Sequence, residues 1–266
     1  MEDGARDEKR MPFLDHLEEM RWRILKALAA VVLLAVGCLY FGEVLLNLLT
    51  SRLQRLDNPP KLVFLSPAGM LLVRMNVALV AGAILALPVI FYQAWAFIAP
   101  GLVEKERSYV LRIVGFSMLC FLAGGALAYE VVVPISLRFM VKMTAPGIDP
   151  FFDIRSYIGF VVRFIIAFGL VFEMPVISYF LTKIGLMTPR FLSKNRRYAI
   201  VLIFVVAAVL TPPDVLSQIL MAIPLIALYE ISIWVSKLAG RREVNQRDGF
   251  TPNAVPPRAP STRGPH

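Results

Sequence analysis

Residues 157–181 read "YIGFVVRFIIAFGLVFEMPVISYFL". A helix that crosses a bilayer needs ~20 mostly apolar residues, because ~30 Å of hydrocarbon is covered at ~1.5 Å per residue. This stretch is long enough. Its apolar residues form a block, not the i, i+3, i+4 stripe of a water-facing helix. Near its centre, within "GLVFEMPVISYF", stands the carboxylate of Glu173. A charge at that depth costs at least ~2.5 kcal/mol, so the group must be neutral, paired or facing a wet cavity. No basic residue lies within a turn of it, Arg163 being ten positions earlier. Any partner therefore comes from another helix, another protein or water. Ionisable residues inside spans are functional candidates by default. Glu130, Asp214 and Glu230 sit nearer the ends of apolar blocks, where solvent accounts for them.

Five further blocks have the same character, at about 24–49, 70–92, 110–137, 198–210 and 216–235. Over the whole chain 58% of residues are hydrophobic and the mean hydropathy is +0.67. The pattern predicts an all-α, polytopic membrane protein with six transmembrane helices. The block at 198–210 is short, and a tight "TPPD" turn joins it to the next. Both helices would tilt little or thin the bilayer locally; one re-entrant hairpin is the alternative. Basic residues crowd the N-terminal segment, the second-to-third and fourth-to-fifth loops and the C-terminal tail. That bias places both termini in the cytoplasm. The net charge of +9 thus speaks for orientation and not for nucleic acid. Cys38 and Cys120 lie inside apolar blocks and suggest no disulfide framework. The opening "MEDGARDEKR" lacks the apolar core of a cleavable signal peptide. The Pro- and Arg-rich tail cannot repay the entropy of ordering. These features divide the chain into a flexible tail at 1–11, a membrane domain at 12–237 and a disordered cytoplasmic tail at 238–266. Pro88, Pro134, Pro175 and Pro224 lie inside the spans. Each removes a backbone donor and is expected to kink its helix, which favours a curved, cupped bundle.

No enzyme constellation stands out. The two histidines, His16 and His266, belong to no cluster with metal-ligand spacing. No nucleophile–base pair or phosphate loop appears, and the chain calls for no cofactor. In "MPFLDHLEEMRWRI", Phe13, Leu17, Met20 and Ile24 recur at helical spacing. They predict a short amphipathic helix at the cytoplasmic interface. Its polar side is either a solvated face with a Glu19–Arg23 pair at i, i+4 or a recognition surface. In "YQAWAFIAPGLVEKERSYV", Tyr92, Trp95 and Phe97 precede a break at Pro100 and Gly101, and Glu104 and Glu106 follow. This is an ordinary charged loop, or a carboxylate near aromatic rings ready for a cationic ligand.

Four segments, in order, carry a resemblance: "FLDHLEEMRWRI", "LPVIFYQAWAFIAPGLVEKER", "FGLVFEMPV" and "LTPPDVLSQILMAIPLIALYE". Over about residues 12–237 the chain resembles the TatC family, the multi-span receptors of twin-arginine protein translocation. The resemblance implies six spans in a cupped bundle with cytoplasmic termini, in the bacterial inner membrane. It implies binding of the Arg-Arg motif in signal peptides of folded cargo, with transport driven by the proton-motive force. It implies TatA-like and TatB-like single-span partners in a hetero-oligomer of several copies. By motif, the signal-peptide site would comprise Glu19, Arg21, Phe97 and Glu106, and Glu173 would be the intramembrane polar site. Pro88, Tyr129, Pro175, Asp214 and Gln218 would serve as partner or structural positions. Two departures fall near the first outer loop: Arg52 where many relatives carry proline, and Gly69 where many carry an acid. A proton-coupled solute carrier using Glu173 is the rival reading, and a purely structural scaffold the other. Lack of internal repeats counts against the carrier.

Overall fold

A computed structural model describes residues 3–55, 59–98, 107–144, 151–210 and 215–248. In chain order the elements are α1 (Asp3–Tyr40), α2 (Gly42–Gln54), β1 (Lys61–Val63), α3 (Gly69–Leu85) and α4 (Leu87–Ile98). Then come α5 (Arg107–Leu127), a π-helical turn (Ala128–Val132), α6 (Val133–Lys142) and β2 (Phe151–Asp153). The last are α7 (Ile154–Phe172), α8 (Met174–Lys183), α9 (Pro189–Lys194), α10 (Arg196–Leu210) and α11 (Val215–Asp248). Asp214 and Glu106, both expected at functional positions, lie outside the described residues, as does the chain from 249 onward.

The helical expectation holds nearly throughout. Four helical stretches are long and apolar enough to cross a membrane: His16–Tyr40, Leu111–Lys142, Ile154–Lys183 and Met221–Ala239. The pair α3–α4, bent by 54°, makes a fifth if it is one span. With 15 residues, α10 falls short of a full crossing at ~1.5 Å per residue. Only 11% of the apolar part of α1 is buried in the protein. Leu33 and Val36 stand 73% and 63% exposed on it. Such a surface suits lipid, not water.

The helix boundaries differ from the sequence blocks for local reasons. Block 24–49 is not one straight span, because α1 ends at Tyr40 and the chain turns at Phe41, whose N–H bonds the Cys38 carbonyl at 3.1 Å. The segment expected to lie separately at the interface continues α1 without a break. No proline or glycine separates Phe13 from the span to force one. Three of the four prolines follow interruptions: Pro88 the bend at Ala86, Pro134 the π turn, Pro175 the break at Glu173. A proline cannot donate to the carbonyl four residues back, so each helix restarts there. Pro224 sits inside unbroken α11. At the end of α8, Gly185 adopts φ 77°, the left-handed conformation that closes a helix.

Helix α7 is the hub. Phe160, Phe164 and Phe168, at i+4 spacing, line up along it with ring centroids 4.5 and 6.3 Å apart. Phe164 and Phe168 are fully buried. Against this ridge pack Leu46 and Leu53 of α2, Val73 and Val77 of α3, Leu137 of α6, Ala207 of α10 and Leu225 of α11. A second cluster joins Trp95 of α4, Val114 of α5 and Val176 and Phe180 of α8. Glycines permit the closest approaches. A Cβ on Gly124 would stand 2.5 Å from the Phe168 carbonyl oxygen, and one on Gly82 would stand 2.4 Å from the Ala35 nitrogen.

At one end of the bundle β1 and β2 pair in parallel, Lys61 with Phe151 and Val63 with Asp153. Asp153 caps α7, its carboxylate accepting from Ser156 N at 3.0 Å and Ser156 Oγ at 2.9 Å. Those bonds hold its pKa below the usual carboxylate value. Tyr129 and Tyr157 donate to the α2 carbonyls of Leu48 and Leu49, the second at 2.8 Å. Arg52 stacks over Tyr129 and pairs with Glu130. Arg52 thus fastens α2 to the π turn.

The α1–α3 contact yields a test. A Gly82→Ala variant overpacks the seam against Ala35. It is expected to lose about 1–3 kcal/mol, read as a lower thermal unfolding midpoint of the detergent-purified protein.

Candidate functional site

The N-terminal end of the described α1 surface meets the last turns of α4. Here the Glu19 carboxylate is 40% exposed. Its Oε1 accepts from Arg23 Nε at 2.9 Å and from Nη2 at 2.5 Å. Its Oε2 lies 3.9 Å from His16 Nδ1. Arg23 Nη1 also reaches Gln93 Oε1 on α4 at 3.3 Å. The His16 ring stacks on Phe97, centroids 4.4 Å apart and planes 12° from parallel. An apolar platform and a half-open carboxylate thus share one patch.

Of the four residues expected to form the signal-peptide site, Glu19 and Phe97 come together through His16. Arg21 is exposed on α1. Two positions after Glu19, it projects ~200° around the helix from it. Glu106 lies outside the described residues, nine positions after Phe97 in the sequence. Sequence reasoning missed His16 and Gln93. For His16 the i, i+3 spacing to Glu19 was a usable signal. For Gln93 there was none, since the bend between α3 and α4 decides what it meets.

Glu173 occupies the junction of α7 and α8, only 4% exposed. Its main chain is bonded on both sides of the break: its N–H bonds Leu170 O at 3.1 Å and its carbonyl accepts from Ile177 N at 2.9 Å. Its Oε1 is buried without a hydrogen-bond partner. Ser117 and the main chain of Phe121, both on α5, are the polar groups beside the carboxyl. Ser117 Oγ in turn accepts from Trp95 Nε1 on α4 at 3.2 Å. Of the three sources open to it, another helix, another protein or water, the neighbouring polar groups here come from another helix. The carboxyl faces Ser117 and Phe121 of α5. Pro175 explains the location, because the restart of the helix places Glu173 as its N-cap.

An apolar cavity of about 240 Å³ lies between α2, α3, α5 and α7, with Leu48, Val77, Phe121, Tyr129 and Val162 in its wall. Phe121 therefore touches both the cavity and the neighbourhood of Glu173. Gln218 is engaged internally, its Nε2 donating to Phe204 O at 2.9 Å to tie α11 to α10. Among the described residues no group of His, Cys, Asp and Glu could hold a metal ion.

Bent apolar helices around a buried carboxyl, with lipid-suited outer faces, define a multi-pass helical membrane protein. Comparison with known proteins narrows this. The family described as "Sec-independent protein translocase protein (TatC)" matches residues 15–224. A Sec-independent protein translocase protein TatC of Desulforapulum autotrophicum is 37% identical over 94% of this chain and 93% of its own. TatCy of Bacillus subtilis is 39% identical over 87% of this chain and 91% of its own. A crystal structure of the twin arginine translocase receptor TatC superposes with a TM-score of 0.78, at 37% identity, over 84% of this chain and 99% of that one. The chain belongs to the TatC family of protein translocase components.

Removing the Ser117 hydroxyl strips Trp95 Nε1 of its acceptor in a buried site. A Ser117→Ala variant is expected to be destabilised by about 1–3 kcal/mol, measured by thermal unfolding in detergent. An unchanged midpoint would show the bond to be dispensable.

Proposed function

We propose that this chain is the signal-peptide receptor and core subunit of a twin-arginine translocase in the bacterial cytoplasmic membrane. Family membership supports the reading, and the observation that carries it is the Glu19 patch. A guanidinium is planar and offers forked donors, so paired arginines suit carboxylates better than lysines do. Glu19 already holds one guanidinium, that of Arg23, on Oε1 alone. An incoming arginine adds at Oε2 or exchanges with Arg23, a surface pair worth only ~0.2–1 kcal/mol. Glu106 supplies the second carboxylate and Phe97 borders the same site, while Arg21, on the far side of α1 from Glu19, acts outside that patch.

In this reading the chain spans six times, as α1, α3–α4, α5–α6, α7–α8, α10 and α11, with both termini cytoplasmic. The short α10 then requires a locally thinned bilayer. The apolar stretch of the signal peptide lies along the α2–α3–α5–α7 cavity, or against a partner helix. TatA-like and TatB-like single-span subunits join in a hetero-oligomer, and the proton-motive force drives export. Glu173 acts in transport or partner recruitment. The solute-carrier alternative lacks comparable support, since Glu173 does not line that cavity.

Binding of a twin-arginine peptide to the purified chain tests the proposal. Changing the peptide's Arg-Arg to Lys-Lys is expected to abolish specific binding. Glu19→Ala and Glu106→Ala should each weaken it by about 1–3 kcal/mol. Undiminished peptide cross-linking in the double variant would overturn the assignment. Glu173→Ala should fold normally yet fail to export a twin-arginine reporter; normal export would remove this residue from the mechanism.

A further inference from the structure

A second cavity, of about 390 Å³, opens where α7 begins. Leu137, Phe151, Phe160 and Leu210 give it apolar walls, and Asp153 and Arg163 are its charged members. Arg163 belongs to the span-forming stretch Ile154–Lys183, where a guanidinium is costly unless it reaches polar surroundings. Its side chain turns back toward the start of the helix. Nε donates to Gly159 O at 3.0 Å, and Nη2 would stand 3.6 Å from a Cβ on Gly159. A guanidinium has five donors, and among the described residues Arg163 has no carboxylate partner.

The cavity thus carries an anion just before the span-forming stretch and a cation within it. Ten residues of helix separate the two Cα atoms by ~15 Å, and the backward turn of Arg163 recovers about one helical turn, ~5 Å. A gap of ~10 Å remains. A phosphate and a primary ammonium joined by two carbons, with a contact of ~3 Å at each end, fit such a gap. The geometry points to a bound zwitterionic phospholipid of the phosphatidylethanolamine kind. Its phosphate lies on the Arg163 guanidinium, its ammonium by the Asp153 carboxylate, and its acyl region on Leu137, Phe160 and Leu210. A purely anionic headgroup would leave Asp153 facing like charge. A carboxylate from a partner helix would answer Arg163 but offer nothing to Asp153.

The test uses the full chain reconstituted with equal parts phosphatidylethanolamine, phosphatidylcholine and phosphatidylglycerol. After extraction, native mass spectrometry counts the lipids retained. Phosphatidylethanolamine should be kept in preference to the other two. Arg163→Gln should lower its retention about tenfold, the scale of a lost charge-assisted hydrogen bond. Asp153→Asn, which still caps α7, should erase the preference for ethanolamine over choline. Equal retention of all three lipids would overturn the proposal, as would unchanged retention in Arg163→Gln. A preference for phosphatidylglycerol would do the same by assigning an anionic lipid. So would a co-purifying single-span protein cross-linked at Arg163 with no lipid retained. If Arg163→Gln fails to fold, the ethanolamine-to-choline ratio in Asp153→Asn decides the matter alone.

Discussion

The contact on which the rest of the structure depends is the phenylalanine ridge of α7. In lipid, apolar side chains gain little by leaving their solvent, so helices must be held by close van der Waals packing and by hydrogen bonds. Phe160, Phe164 and Phe168 supply the packing, with α2, α3, α6, α10 and α11 arranged around them. Glycines set the distance of approach. Gly169 leaves room for the Phe121 ring, whose nearest atom would otherwise stand 2.6 Å from a Cβ. The hydrogen bonds are as specific as the packing. Tyr229 donates to Leu192 O at 2.8 Å, serving a carbonyl at the end of the short α9. Thr182 and Ser236 meet at 2.6 Å between α8 and α11.

This arrangement explains how Glu173 is tolerated. Pro175 interrupts the ladder, and the carboxyl projects at the interruption toward Ser117. A polar side chain beside a helix break shares its hydrogen-bonding neighbourhood with main-chain groups that the break has loosened. The cost of the carboxyl is spread over a site that needs polar atoms in any case. Its unpartnered Oε1 is what remains.

The sequence made the helical class, the order of the apolar blocks and the oddity of Glu173 legible, because each rests on composition or spacing along one segment. It also showed the restarts at Pro88, Pro134 and Pro175, since proline acts on its own backbone, but not the turn at Phe41 or the unbroken helix through Pro224. Distant pairings stayed hidden. Nothing in "KLV" or "FFD" announces a sheet, for three-residue strands carry no useful alternation. The bonds from Tyr129 and Tyr157 to α2 follow from the way α7 and the π turn lie against it. The Glu19 patch was half visible. Its Arg23 pair could be read from i, i+4 spacing, while the Gln93 contact depends on a 54° bend with no numerical signature in the residues.

The parallel pairing of β1 with β2 joins segments that the chain produces far apart in time. Synthesis proceeds from the N-terminus, so Lys61–Val63 emerges while its partner has not yet been made. Until Phe151–Asp153 arrives, the first strand presents an open edge, and open edges recruit other strands. Keeping the strand to three residues limits that hazard. The small sheet thus closes as a late clasp on the growing bundle, after α1 through α6 have been laid down.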